Sequence, residues 1–317
     1  MRIDQIKPLQ IATFLKELEK PGARKDGRGE YLDIGTIQYV YRVLKNVFNA
    51  ACEFKLLPEN PMSGIKKPTE DNQSRKKKLM ETRLNPQYFN EEEAQAVVDA
   101  LYKESRKWRL LILGSMIGGC RRGELVGLEW QYVSFEDDSI SIENNIPLTE
   151  AGQAIEKDPK SLSSIRTIDM PSWYMEELEK YYTEWQREKE LLGDKWQGEE
   201  RQFVFHNGVG KPYYYQHPSR WWKRFCERHN LRYIKFHGLR HSSGTLLIED
   251  EKGTNVDSLL KAIQERLGHS RLSTTADIYI HVTKKVKKRT AGKFDKFSRK
   301  EKTEELPEEK PVLKRVK

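Results

Sequence analysis

At 317 residues the chain exceeds the usual size of one domain, so two domains are expected, each large enough to bury a core. No apolar run approaches the roughly 20 residues of a membrane span, and Met1-Arg2-Ile3-Asp4 does not lead into a signal-peptide apolar region. Three widely spaced cysteines, Cys52, Cys120 and Cys226, argue against a disulfide framework and against a zinc site, so the chain reads as soluble and cytoplasmic. The formal charge of +9 is uneven: residues 1–80 carry +6 and 283–317 carry +8, leaving 81–282 at −5. A polyanion such as DNA would be gripped mainly by the first segment and the tail; a well-solvated basic protein with no such partner would show the same balance.

Residues 8–20 place Ile11, Phe14, Leu15 and Leu18 on one helical face before Pro21-Gly22 stops the helix. The clearest helix follows, with Ile37, Val40, Tyr41, Leu44, Val47, Phe48 and Ala51 at three- and four-residue steps. Gln38, Arg42, Lys45 and Asn46 belong to this helix and are the candidates for reading a duplex. Residues 66–80 lack apolar periodicity and contain Arg75-Lys76-Lys77-Lys78. They read as a flexible basic strap that could lie along a DNA backbone, with a plain solvated linker as the competing reading.

The second domain is expected to start near residue 81. Asn90 and Glu93 have capping-box spacing, and Trp108 to Gly118 is apolar enough for a buried helix. Gly118-Gly119-Cys120-Arg121-Arg122-Gly123-Glu124-Leu125 delivers Arg121 at a tight bend. Ser139–Ile142 and Ile165–Ile168 read as short strands, with Asp158-Pro159-Lys160-Ser161 in the turn between them. Helices are expected over 171–191 and 218–229; the role of Phe203-Val204-Phe205 between them is not assigned.

From Phe236 to Val282, Leu239, Leu246, Leu247, Leu259, Leu260, Ile263 and Leu267 keep roughly helical spacing. Gly268 reads as a helix C-terminal glycine, so His269 opens a turn toward a last short helix bearing Tyr279. A tyrosine near His and Arg suits phosphoryl transfer to a protein hydroxyl; taken alone, these are equally ordinary helix residues. Residues 283–317 are too charged to pack by themselves, with Val312, Leu313 and Val316 as the exceptions.

Four pieces in order decide between these readings: Gly119-Cys120-Arg121-Arg122-Gly123-Glu124-Leu125, Lys160 before Ser163-Ser164-Ile165-Arg166-Thr167-Ile168, His237-Gly238-Leu239-Arg240-His241, and Leu267-Gly268-His269 ten residues before Tyr279. Together they resemble the tyrosine recombinases, the phage-integrase family. The resemblance implies a mainly α fold with a small antiparallel β-sheet. It divides the chain into a helical core-binding domain (1–65), a basic linker (66–80), an α+β catalytic domain (81–282) and a charged tail. It also implies that Tyr279 attacks a DNA phosphodiester, with Arg121 and Arg240 clamping the phosphate, His237 taking the proton, His269 bonding the phosphate and Lys160 protonating the leaving oxygen. Lys157, three residues earlier, competes for that last role.

No cofactor, metal or ATP is implied. Double-stranded DNA is the implied partner, with a homotetramer built as a dimer of dimers, accessory DNA-bending or excision proteins, and a nucleoid-associated location. Phage and conjugative transposon origins stay open. Gly238 stands where the family often has Asp. A type IB topoisomerase, or a silent DNA-binding regulator, is the alternative.

Overall fold

The computed structural model describes residues 2–27, 29–150, 153–156, 165–250 and 256–273. The turn with Lys160, the segment with Tyr279 and the charged tail lie outside them. The chain divides into two compact units, residues 1–85 and 86–317.

In the first unit, α1 (Pro8–Glu17) and α2 (Ile34–Glu53) bury Ile11, Leu15, Tyr41 and Phe48 together with Met62. Asp33 caps α2, its carboxylate accepting from the Gly35 N–H at 2.8 Å. Two residues of the expected apolar faces are exposed, Phe14 at 44% and Val47 at 50%. The segment read as a flexible strap is in part a helix, α3 (Asn72–Leu84), capped by Asp71 through the N–H groups of Gln73 and Ser74. No residue of α3 is buried, so it carries no apolar period. It rests on good helix formers, on its cap and on Lys78, which pairs with Asp33 at 3.0 Å and with Glu70 at 2.8 Å.

In the second unit α4 (Glu91–Leu101) opens with the expected Asn90–Glu93 capping box. The buried centre is α5 (Arg106–Met116), whose residues Leu110 to Met116 are all buried. It packs against α4, the short α6 (Arg122–Val126), α7 (Ser172–Leu192) and α9 (Phe236–Asp250). Beside them lies an antiparallel sheet in the order β1 (Val133–Ser134), β2 (Ser139–Ile142) and β5 (Arg166–Asp169). Ile140 opposes Ile168 on the core face, and Ser141 opposes Thr167 with their hydroxyls 3.0 Å apart. A hairpin not foreseen from the sequence, β3 (Leu148–Glu150) with β4 (Gln153–Ile155), is inserted between β2 and β5.

Phe203-Val204-Phe205 is fully accounted for. The Val204 N–H donates to the Leu128 carbonyl, the Trp130 N–H donates to the carbonyl of the preceding Gln202, and Tyr181 and Trp185 of α7 donate to the Val204 and Phe203 carbonyls at 3.1 and 3.0 Å. Among the described residues the remaining α-helices are α8 (His217–Arg228) and α10 (Val256–Leu267). In α8, Trp222 and Phe225 are buried while Trp221 is half-buried. Ile263 and Leu267 of α10 pack with Ile248 of α9. Among the described residues no helix is long and apolar enough to cross a membrane.

Candidate active site

The site is assembled on the C-terminal end of α10. Gly268 lies in the left-handed region (φ 60°), with the Gly268 N–H bonded to the Glu265 carbonyl and the His269 N–H to the Gln264 carbonyl. This is a Schellman ending, and it leaves the last helix carbonyls at the negative end of the helix dipole. Three guanidiniums occupy three successive carbonyls. Arg166 donates to Arg266 at 2.7 Å, Arg240 to Leu267, and Arg121 to Gly268 at 2.7 Å.

Each arginine arrives by a different route. After α5 the chain turns at Gly119 (φ 69°), where a Cβ would stand 2.4 Å from Leu267 Cδ2, so both conformation and space demand glycine. The Gly119 carbonyl accepts from Arg240 at 2.6 Å, and Arg121 becomes the residue before α6. Arg240 sits on α9 and is 1% exposed. Burial first, then the charge of Arg121, push its guanidinium down to about 9, still charged at neutral pH. Among the described residues its Nε–H is a buried donor with no acceptor. Arg166 enters from β5.

Glu124 holds the arginines in register. Its carboxylate accepts from the Arg121 N–H at 2.7 Å, from Arg121 Nη1 at 2.5 Å and from both terminal nitrogens of Arg166 at 3.1 and 2.9 Å. Burial alone would raise this carboxyl, but the bonds and charge of Arg166, with Arg121, outweigh it and hold it at about 2.

Two histidines complete the described part of the site. His237 opens α9 with its ring 4.7 Å from that of His241 and nearly perpendicular to it. Burial, then His241, Arg240 and Arg121, hold His237 at about 4; burial, then Arg240 and Arg121, hold His269 at about 3. Both are neutral at pH 7, and both feel the same two guanidiniums. The described site is therefore a fixed pair of guanidiniums beside two neutral imidazoles, an arrangement suited to an anion that gains charge during reaction.

Comparison with known proteins decides the family. Residues 87–286 match the model of the phage integrase family. The chain is 30% identical over 296 residues to a tyrosine recombinase XerC-like protein of Caldanaerobacter subterraneus, covering 90% of this chain and 70% of that one. The chain belongs to the phage integrase family, the tyrosine recombinases.

The recombinase is 24% identical to the ICEBs1 integrase of Bacillus subtilis, over 92% of this chain and 72% of that one. Its fold matches that of the Tn1549 transposon integrase, solved with transposon right end DNA (TM-score 0.66, 18% identity, 94% of this chain and 88% of that one). It also matches that of XerH recombinase bound to palindromic difH substrate (TM-score 0.59, 20% identity, 92% and 74%). The mainly helical fold with small antiparallel sheets is that of the family. Members cut and rejoin DNA strands by transesterification, and the recombinase is such a site-specific DNA strand transferase; the topoisomerase and silent-regulator alternatives are not favoured.

Of the site residues expected from the sequence, Arg121, Arg240, His237 and His269 meet in the recombinase, while Lys160 and Tyr279 lie outside the described residues. The sequence reading missed Glu124 and Arg166. Glu124 had a signal, since it stands three residues after Arg121 in capping-box spacing. Arg166 had none, because an arginine on a short strand reads as solvent-facing. Among the DNA candidates of the first unit, Gln38 is partly buried and donates one amide hydrogen to the Pro68 carbonyl at 2.8 Å. Arg42, Lys45 and Asn46 are exposed on α2. Arg75, Lys76 and Lys77 are exposed on α3, whereas Lys78 is engaged by Asp33 and Glu70.

Proposed function

We propose that Tyr279 attacks a DNA phosphodiester held by Arg121 and Arg240. The Tyr279 oxygen forms a bond to phosphorus and the bond to the 5′ oxygen breaks, giving a 3′-phosphotyrosine link and a free 5′-hydroxyl. A tyrosine hydroxyl ordinarily titrates near pH 10, so its proton needs an acceptor, and neutral His237 takes it. His269 bonds a non-bridging oxygen. Lys160 gives a proton to the leaving 5′ oxygen. Because the phosphate ester is kept, a second DNA hydroxyl reverses the reaction without ATP.

The observation that carries this reading is the pair of guanidiniums fixed on the consecutive Leu267 and Gly268 carbonyls at the end of α10, next to two neutral histidines. A bound phosphate would raise both histidines toward their ordinary range by its negative charge. Lysine in place of either arginine would lose the planar fork that meets two acceptors at once.

The partner is double-stranded DNA; in support, the Tn1549 integrase was solved with transposon right end DNA and XerH bound to palindromic difH substrate. Arg42, Lys45 and Asn46 of α2 and Arg75, Lys76 and Lys77 of α3 contact the duplex in the first unit. Four protomers act as a dimer of dimers on two sites, exchanging strands in pairs through a four-way junction, in the nucleoid and with accessory DNA-bending or excision proteins. The test is incubation with nicked duplexes that trap the cleaved state. A covalent protein–DNA adduct absent from Tyr279→Phe supports the assignment, and an adduct that persists in that variant overturns it.

A further inference from the structure

Arg232, in the connection between α8 and α9, makes an unusually complete set of bonds away from the arginine pair. It donates through Nε and Nη2 to the two Glu93 oxygens at 2.5 and 2.7 Å, through Nη1 to the Pro86 carbonyl at 2.7 Å, and through Nη2 to the Tyr88 carbonyl at 2.6 Å. Its guanidinium also lies 5.2 Å from the centre of the Phe89 ring. Pro86 and Tyr88 flank Gln87, so the backbone of 86–89 is fixed as a strap. Glu93 is anchored in turn by the capping box of α4.

The strap crosses the first turn of α9. A Cβ at residue 238 would stand 2.5 Å from the Gln87 carbonyl oxygen, so glycine is required there for space. The Phe89 N–H donates to Ser242 Oγ at 2.8 Å, and that hydroxyl donates to the Gly238 carbonyl at 2.9 Å. The Lys235 N–H reaches Gln87 Oε1 at 3.5 Å. The first N–H groups of a helix have no acceptors within it, and helix ends open most readily. His237 stands on that first turn, beside Gly238, and Arg240 follows two residues later.

We propose that Arg232 is a positioning residue for strand transfer: by pinning residues 86–89 over Gly238 it holds the start of α9, and with it His237 and Arg240, in register with Arg121. The inference rests on the roles given to His237 and Arg240 above. Gly238 is the matching half of the device, because the strap occupies the space a side chain would need. An ammonium cannot make the four divergent bonds of the guanidinium, so lysine does not replace it.

The test is single-turnover adduct formation by the full chain at saturating DNA, using nicked duplexes recovered from a random-sequence pool by covalent capture on the wild-type protein. Arg232→Gln and Arg232→Lys remove the pin. Gly238→Ala leaves the bonds of Arg232 in place and pushes on the Gln87 carbonyl from the other side. All three are expected to lower the rate constant roughly 10- to 100-fold, with DNA affinity and final adduct yield unchanged. A clamp that served stability alone would lower the yield and leave the rate constant intact. Arg106→Gln, which breaks an ion pair with Glu177 elsewhere in the unit, is the control expected to keep the wild-type rate constant. Wild-type rate constants in Arg232→Gln and Gly238→Ala, or loss of yield alone, would overturn the proposal. Absence of any adduct from the wild-type protein would overturn the reading of the site with it.

Discussion

Arg240 is the residue on which most depends, since one buried guanidinium serves the Gly119 and Leu267 carbonyls and also the proposed phosphate. Arg240→Lys keeps the charge but not the fork, so adduct formation is expected to slow by about 100-fold or more, while DNA affinity changes little. The histidines give a second expectation, in the absence of DNA. His237 and His206 are held at about 4 and His269 at about 3, in each case by burial first. Unfolded, they titrate near 6.5. Between those values the unfolded chain binds more protons, so stability rises with pH across the window. The urea midpoint of the free protein is therefore expected to fall steadily as pH is lowered from about 7 to about 4.5; an unchanged midpoint would show that these rings are not buried neutral. The residues proposed to touch substrate were legible because their types and order are those the proposed reaction requires. Arg166 and Arg232 bond to carboxylates and backbone carbonyls far along the chain, and Glu124 joins its near neighbour Arg121 to the distant Arg166, a link that spacing alone does not show.

A helix with one buried face was legible because burial writes a period into the sequence, as in α2, and α5 was legible because its run from Leu110 to Met116 is apolar almost all round. The helix α3 was not, since it buries nothing and is set by a cap and two ion pairs. The β3–β4 hairpin and the bonds of Gln202 and Val204 to residues 128–130 depend on backbone pairing between segments, which periodicity does not record. The end of α10 was read correctly from Gly268, and its consequence can be measured. Gly268→Ala forces a side chain into the left-handed region at a cost of about 1–2 kcal/mol. Because the Gly268 carbonyl holds Arg121 and the next residue is His269, the same change is expected to slow adduct formation beyond what the loss of stability explains. Urea denaturation read beside the adduct rate separates the two effects.

Across the whole molecule, positive charge is concentrated in residues 1–80 and 283–317, while 81–282 is net negative. Binding to DNA is expected to weaken steeply with added salt, in proportion to the phosphates neutralised. Removing Arg75, Lys76 and Lys77 together should flatten that dependence, and a filter-binding series in rising salt measures it. Lys78, already paired, should contribute less. The most direct measurement is the identity of the residue joined to DNA. Adduct formed on nicked duplexes would be digested with protease and nuclease, and the nucleotide-bearing peptide sequenced by mass spectrometry. The expected result is a 3′-phosphate ester on Tyr279, absent from Tyr279→Phe and strongly reduced in Arg121→Lys and Arg240→Lys. A linkage to any other residue, or one that survives in Tyr279→Phe, would contradict the assignment of the nucleophile and of the arginine pair that serves it.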